Sequence, residues 1–181
     1  WIATVYIEFF RGIPALLVVL SVAYAVPYAF GVSISSIITK VALSLGLVSA
    51  AYIAETLRAG IQAVPKGQVE AARSLGMSHT RTLWTVVVPQ ALRIVMPPMT
   101  NEFILLTKDT SLVFLAGLAT SEYELTKVGR DALSSATGGL TPLFVVGACY
   151  LVITLPLGQL VGFLDGFGLT TAEILYRLPD H

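Results

Sequence analysis

Charge is what this chain has least of. Asp, Glu, Lys and Arg make up 12% of its 181 residues, about half the ~25% of an average soluble domain. That deficit excludes a disordered chain, which needs much charge and little apolar surface. The 11 basic and 11 acidic residues cancel, so there is no basic field for nucleic acid, and no nucleic-acid partner is expected. Cysteine is almost missing. Cys149 alone allows no internal disulfide framework and no multi-cysteine metal site. His79 and His181 are the only histidines, too few for a histidine-based metal centre. The chain has no Gly-x-x-x-x-Gly-Lys-Ser/Thr loop, no His-Glu-x-x-His and no Gly-x-Ser-x-Gly. It is therefore expected to be no enzyme and to use no cofactor and no metal. No repeat of about 20–50 residues is visible, which excludes a solenoid.

Apolar residues fill the gap. They make up 55% of the chain, with a mean hydropathy of +0.80. An integral membrane protein follows. A spanning helix needs ~20 mainly apolar residues. Residues 12–39 and 132–164 contain no Asp, Glu, Lys or Arg, with apolar hearts at 13–32 and 143–164. Residues 34–64 are apolar and small, apart from Lys40, Glu55 and Arg58. Residues 86–106 hold Pro89, Pro97 and Pro98 with Arg93 and Glu102, and are expected to be a broken span. That makes four spans. A 35-residue outer-side segment, 107–141, separates the last two. The chain begins at Trp1 with an amphipathic lead-in, Tyr6-Ile7-Glu8-Phe9-Phe10-Arg11, so a missing upstream segment is expected.

Charge sets the orientation. Residues 58–93 hold Arg58, Lys66, Arg73, Arg81 and Arg93 against one acid, Glu70. This excess places the loop in the cytoplasm and segment 107–141 outside. Small residues recur every four positions at Ala42, Gly46, Ala50 and Ala54, and again at Thr154, Gly158, Gly162 and Gly166. Such stripes let another backbone approach closely. Bundle packing within the chain is the expectation, and a subunit interface the alternative.

The cytoplasmic loop carries the densest information. Pro65 ends the preceding helix. Residues 68–75 are mostly good helix formers, and Gly76 stands where a left-handed glycine would stop them. Val69, Ala72 and Leu75 share one face, and Glu70 and Arg73 can pair on the other. So short a helix is marginal alone, so a docking partner or lipid headgroups should cover its apolar face. Glu70-Ala71-Ala72, then Gly76, then Val86, Val88 and Pro89 resemble the EAA loop of ABC importer permeases. Glu8-Phe9-Phe10-Arg11-Gly12-Ile13-Pro14, Ala54-Glu55-Thr56-Leu57-Arg58-Ala59-Gly60 and Asn101-Glu102-Phe103 with Lys108-Asp109-Thr110-Ser111-Leu112 are similar to segments of the polar amino-acid subfamily. The likeness spans about residues 5–165.

The resemblance implies an all-α, polytopic transmembrane helix bundle of the type I ABC importer permease kind. It has about four spans here, with a first helix missing upstream, and one permease domain over 1–181. It implies that segment 66–90 is the coupling loop, docking on cytoplasmic ATP-binding cassette subunits through Glu70, Ala71, Ala72, Gly76 and Pro89. Further implied partners are a second permease copy or sister permease, an extracytoplasmic amino-acid-binding protein, an amino-acid substrate and membrane lipid. The location is the cell (inner or plasma) membrane.

Ionisable groups inside a membrane are costly and usually face a cavity or a partner. With Arg93 near the cytoplasmic interface, Asn101 and Glu102 lie roughly 12–14 Å further in, and Lys108 and Asp109 roughly 22–24 Å in. On one helix, Glu102 and Asp109 share a face, and Asn101 and Lys108 the adjoining one. Two acids, a base and an amide suit a zwitterion; the alternative is a structural network. Glu55 and Arg58, three apart, can pair locally or line a gate, and Glu55 joins the substrate-pathway candidates. Glu122, Glu124, Lys127, Arg130 and Asp131 are expected to form a solvated face or a contact for the binding protein. Cys149 is expected in packing and His79 at the surface. A second reading of the whole is a secondary transporter or channel with an intramembrane site at Glu102, Lys108 and Asp109. A third is an intramembrane enzyme, for which no paired catalytic constellation is found.

Overall fold

The computed structural model describes residues 1–32, 34–116, 124–134 and 139–176. Glu122 lies outside them. Among the described residues every regular element is helical. Helix α1, Ile2–Gly12, stops at Ile13, whose extended backbone is what a following proline imposes. Helix α2, Ala15–Phe30, contains one π-helical turn at Ser21–Ala25 and ends at left-handed Gly31, φ 63°. The two are bent by 104°. Then come α3, Ile37–Ala63, α4, Lys66–Ser74, and α5, His79–Thr82. A second π turn, Leu83–Val87, leads into α6, Val88–Asp109. A 3₁₀ stretch, Thr110–Ala116, precedes α7, Leu125–Leu133, and the chain closes with α8, Thr141–Tyr176.

By length and composition two helices can cross a membrane, Ile37–Ala63 and Thr141–Phe163. The bent pair α1–α2 is a third candidate. Helix α6 has the length, 22 residues, but its polar residues keep it out of the apolar class. The expected break at Pro97-Pro98 does not occur, because both prolines sit inside the continuous α6. A proline's fixed φ is compatible with a helix. What it removes is an amide donor, and Pro97 is buried, where neighbouring protein can offset the loss.

The chain divides into two compact units. One comprises Trp1–Tyr52 and Phe103–Pro156. Its core is Val19, Ala23, Ile37 and Leu45, flanked by Val41, Leu106 and Val113. Tyr6 donates to the Leu47 carbonyl at 2.7 Å, and Arg11 stacks over Tyr52. Here α3 buries Ile37, Ser44, Leu45, Val48 and Ala51, a stripe at helical spacing. Ala42, Gly46 and Ala50 are on the exposed side, and a Cβ at Gly46 would meet nothing within 4 Å. The small residues therefore do not pack this chain against itself there. The second stripe behaves alike at Gly158, Gly162 and Gly166, which are exposed, whereas Thr154 is buried.

The other unit comprises Ile53–Glu102 and the chain from Leu157. Val64, Val87 and Ala91 form its core, with Val69 and Leu83 packed on them. Gly60 of α3 lies against α6, where a Cβ would collide with the Val95 side chain.

Candidate functional site

The loop between α3 and α6 is built around a complete helix stop. Pro65 is the N-cap of α4, so its missing amide costs nothing. At the other end Gly76 has φ +83°. The Gly76 amide bonds to the Arg73 carbonyl at 3.0 Å and the Met77 amide to the Ala72 carbonyl at 3.2 Å. That is a Schellman pair, which needs a left-handed residue at its centre. Arg73 Nη1 donates to the Met77 carbonyl at 2.7 Å. The expected Glu70–Arg73 pair is not made, since the guanidinium is turned to the end of the turn instead. Ser78 then caps α5, accepting from the Arg81 amide at 3.3 Å, and His79 is exposed.

The apolar face of α4 is split. Ala72 is buried, and Val69 packs on Val64, Val87 and Ala91. The chain itself thus covers the half of the face that was expected to await a partner or lipid. What remains open is the C-terminal corner. Leu75 is 83% exposed and Trp84, in the adjoining π turn, 65%. Glu70, Ala71, Gly76 and Pro89 are exposed too. Two large apolar side chains left open in one loop, one of them aromatic, have the make-up of a protein contact. Trp84 escaped the sequence reading because no periodicity marks a residue in a π turn.

Farther along, Arg58 donates to both carboxylate oxygens of Glu55, one at 2.8 Å, and to Gln62 Oε1 at 2.8 Å. The local pair is therefore made. Asn101, Glu102, Lys108 and Asp109 all lie on unbroken α6. Asn101 and Lys108 are exposed, while Glu102 and Asp109 are half-buried.

Between α6 and α8, Glu124 is half-buried. It is the N-cap of α7, with Oε1 accepting from the Thr126 amide at 2.9 Å and Oε2 from the Lys127 amide at 3.2 Å. Tyr150 of α8 donates to Oε1 at 2.7 Å. No sequence signal joined these residues, which stand 26 apart. Arg130 stacks over Phe114. Among the described residues no group of three or more His, Cys, Asp and Glu could hold a metal. Cys149 is half-buried.

Known proteins place this architecture. The family model for the binding-protein-dependent transport system inner membrane component matches residues 1–166. The probable glutamine ABC transporter permease protein GlnM of Bacillus subtilis (strain 168) is 36% identical over 166 residues, covering 91% of this chain and 74% of that protein. The glutamine transport system permease protein GlnP of Escherichia coli (strain K12) is 35% identical over 164 residues, covering 91% and 73%. A crystal structure of an amino acid ABC transporter with histidines superposes with a TM-score of 0.81 at 36% identity, covering 91% of this chain and 74% of that one. An all-α membrane helix bundle and a family match over 166 residues agree, and the chain belongs to the family of binding-protein-dependent transport system inner membrane components.

Proposed function

We propose that this chain is the permease subunit of an ATP-driven importer of polar amino acids. It receives substrate from an extracytoplasmic binding protein and draws energy from cytoplasmic ATP-binding cassette subunits. The relatives named for glutamine support the substrate class. The observation that carries the energy coupling is the open corner at Leu75 and Trp84, held in a fixed shape by the Gly76 stop. In this reading α4 seats in a cleft of the ATPase subunit through Glu70, Ala71, Ala72 and Gly76. Pro89 stands in the first turn of α6, at the end of segment 66–90. Ala72 acts by packing α4 onto the chain, and the exposed residues act by contact. Asn101, Glu102, Lys108, Asp109 and Glu55 are proposed for the substrate path, and the exposed Ala42, Gly46 and Ala50 for the second permease copy or sister permease. Segment 66–90 is proposed to be cytoplasmic and segment 107–141 to be on the outer side. The family match decides against a self-contained secondary transporter or channel.

Leu75→Asp tests the coupling. A side chain this exposed contributes little to folding, so membrane levels should match the wild type. Loss of a docking anchor costs about 2 kcal/mol or more, so ATP-driven uptake should fall at least about thirtyfold. Wild-type uptake in this variant would refute the docking role. A cysteine at Ser78, in a Cys149→Ser background, should resist an impermeant thiol reagent on intact cells. Its labelling would overturn the orientation.

A further inference from the structure

Helices α7 and α8 run antiparallel. Glu124 and Thr126, at the start of α7, meet the Tyr150 hydroxyl at 2.7 and 3.4 Å. Farther on, Gly129 lies against Val146 and the Pro142 carbonyl, where a Cβ would sit 2.4 Å from Val146 Cγ2. Residue numbers thus climb along α7 as they fall along α8. Thr141 and Tyr150 are separated by about 13.5 Å of helix axis. The apolar run of α8, Thr141–Phe163, has 23 residues, about 34 Å at the same rise against a hydrocarbon core of ~30 Å. A span that starts at Thr141 carries Tyr150, and Glu124 with it, close to the membrane midplane.

We infer that α7 is a re-entrant helix rather than a surface helix, and that Glu124 and Tyr150 line the translocation path at membrane depth, where the carboxylate attracts the cationic end of the solute. This rests on the importer reading above. Three observations converge on it. First, depth: an ionisable group there faces the protein interior or a watered cavity, because lipid would penalise it. Second, direction: Val146, Tyr150 and Thr154 share a face of α8, with Val146 and Thr154 buried. The opposite face exposes Phe144, Val152 and Leu155, which suit lipid. Third, charge: among the described residues Glu124 accepts from neutral donors only, the Thr126 amide and hydroxyl, the Lys127 amide and the Tyr150 hydroxyl. None of these donors is a full cation, and Oε2 accepts just one of them. An ammonium or guanidinium passing this level supplies one.

The test uses the full chain assembled with its ATPase and binding-protein subunits, with Cys149→Ser as background. Thr126→Cys is treated from the outer side with a small cationic methanethiosulfonate, with Ser134→Cys as the surface control. Labelling at position 126 should be slower than at 134, and slower still with saturating amino acid. Equal rates at both positions, unmoved by amino acid, would overturn the proposal; so would no labelling at position 126, which would place it against lipid. In parallel, uptake of radiolabelled arginine, glutamine and glutamate is measured. For whichever of them the wild type carries, Glu124→Gln should lower uptake about tenfold, the scale of a lost hydrogen bond to a charged group, and least for glutamate. Tyr150→Phe, which keeps the ring, should shift uptake the same way and decides the matter if Glu124→Gln fails to accumulate. Unchanged uptake at normal protein level in the deciding variant would overturn the proposal. A wild-type complex that carries no amino acid would refute the importer reading instead, and the comparison of positions 126 and 134 would still decide whether α7 is re-entrant.

Discussion

Helices α4 and α7 are each nine residues long, yet they solve opposite problems. Helix α4 has no side-chain cap at its start and a glycine stop at its end. Helix α7 has a carboxylate cap at its start and its glycine, Gly129, in the middle, pressed on Val146. One leaves a leucine 83% exposed; the other draws a glutamate in beside a tyrosine. Neither would be stable alone at this length. The difference shows what each is held by. α7 is fastened to its own chain at both ends of its contact with α8. α4 is fastened along half a face, and the other half is left for something else.

Substitutions at the glycines break this comparison most sharply. Gly129→Leu should be the most damaging. It forces a side chain into Val146, and overpacking of this kind costs about 1–3 kcal/mol. The detergent-solubilised protein should melt lower and accumulate less, and an unchanged melting temperature would show that α7 does not pack as described. Glu124→Ala comes next. It removes a helix cap worth typically ~1 kcal/mol together with the Tyr150 hydrogen bond, so it should lower thermal stability more than Glu70→Ala on exposed α4. Equal effects would erase the contrast between the two helices. Gly76→Ala should follow, at about 1 kcal/mol, because a left-handed backbone disfavours any Cβ. The smallest effect belongs to Gly67→Ala, in the first turn of α4, where a Cβ meets nothing within 4 Å. It should stay within about 0.5 kcal/mol of the wild type, as open surface sites do. A large loss there would mean that α4 has a partner within the chain.

What could be read from the residues were the features with local causes. Gly76 announces its own left-handed turn, Pro65 its own helix start, and Glu55 with Arg58 a pair one turn apart. The apolar runs at 34–64 and 143–164 hold α3 and α8, because long apolar stretches must close their backbone hydrogen bonds internally, even across Pro156. The misreadings share a different cause, which is distance. Val69 and Ala72 look like an open face until Val87 and Ala91, well along the chain, close over half of it. Glu124 looks solvated until Tyr150 arrives from the next helix. Ala42, Gly46 and Ala50 look like internal packing until Ile37, Leu45 and Val48 are seen to be the buried stripe. Pro97-Pro98 misleads because the local rule against proline is overridden by burial.

The π turn at Leu83–Val87 bears on how this loop can vary through evolution. A π turn closes its hydrogen bond one residue later than an α turn, so it holds one residue more than a plain helix needs. Deleting a residue such as Thr85 would let the helix close as ordinary α structure with no bond lost. The extra residue is taken up inside the wider turn, so the helix on either side keeps nearly the register it would have without it. Losing Thr85 should therefore leave the exposed corner at Leu75 facing the same way. The same deletion inside regular α-helix, at Arg93 for example, would swing everything before it by about 100°. The loop can thus gain or lose one residue at this turn without re-aiming Leu75, whereas α6 cannot.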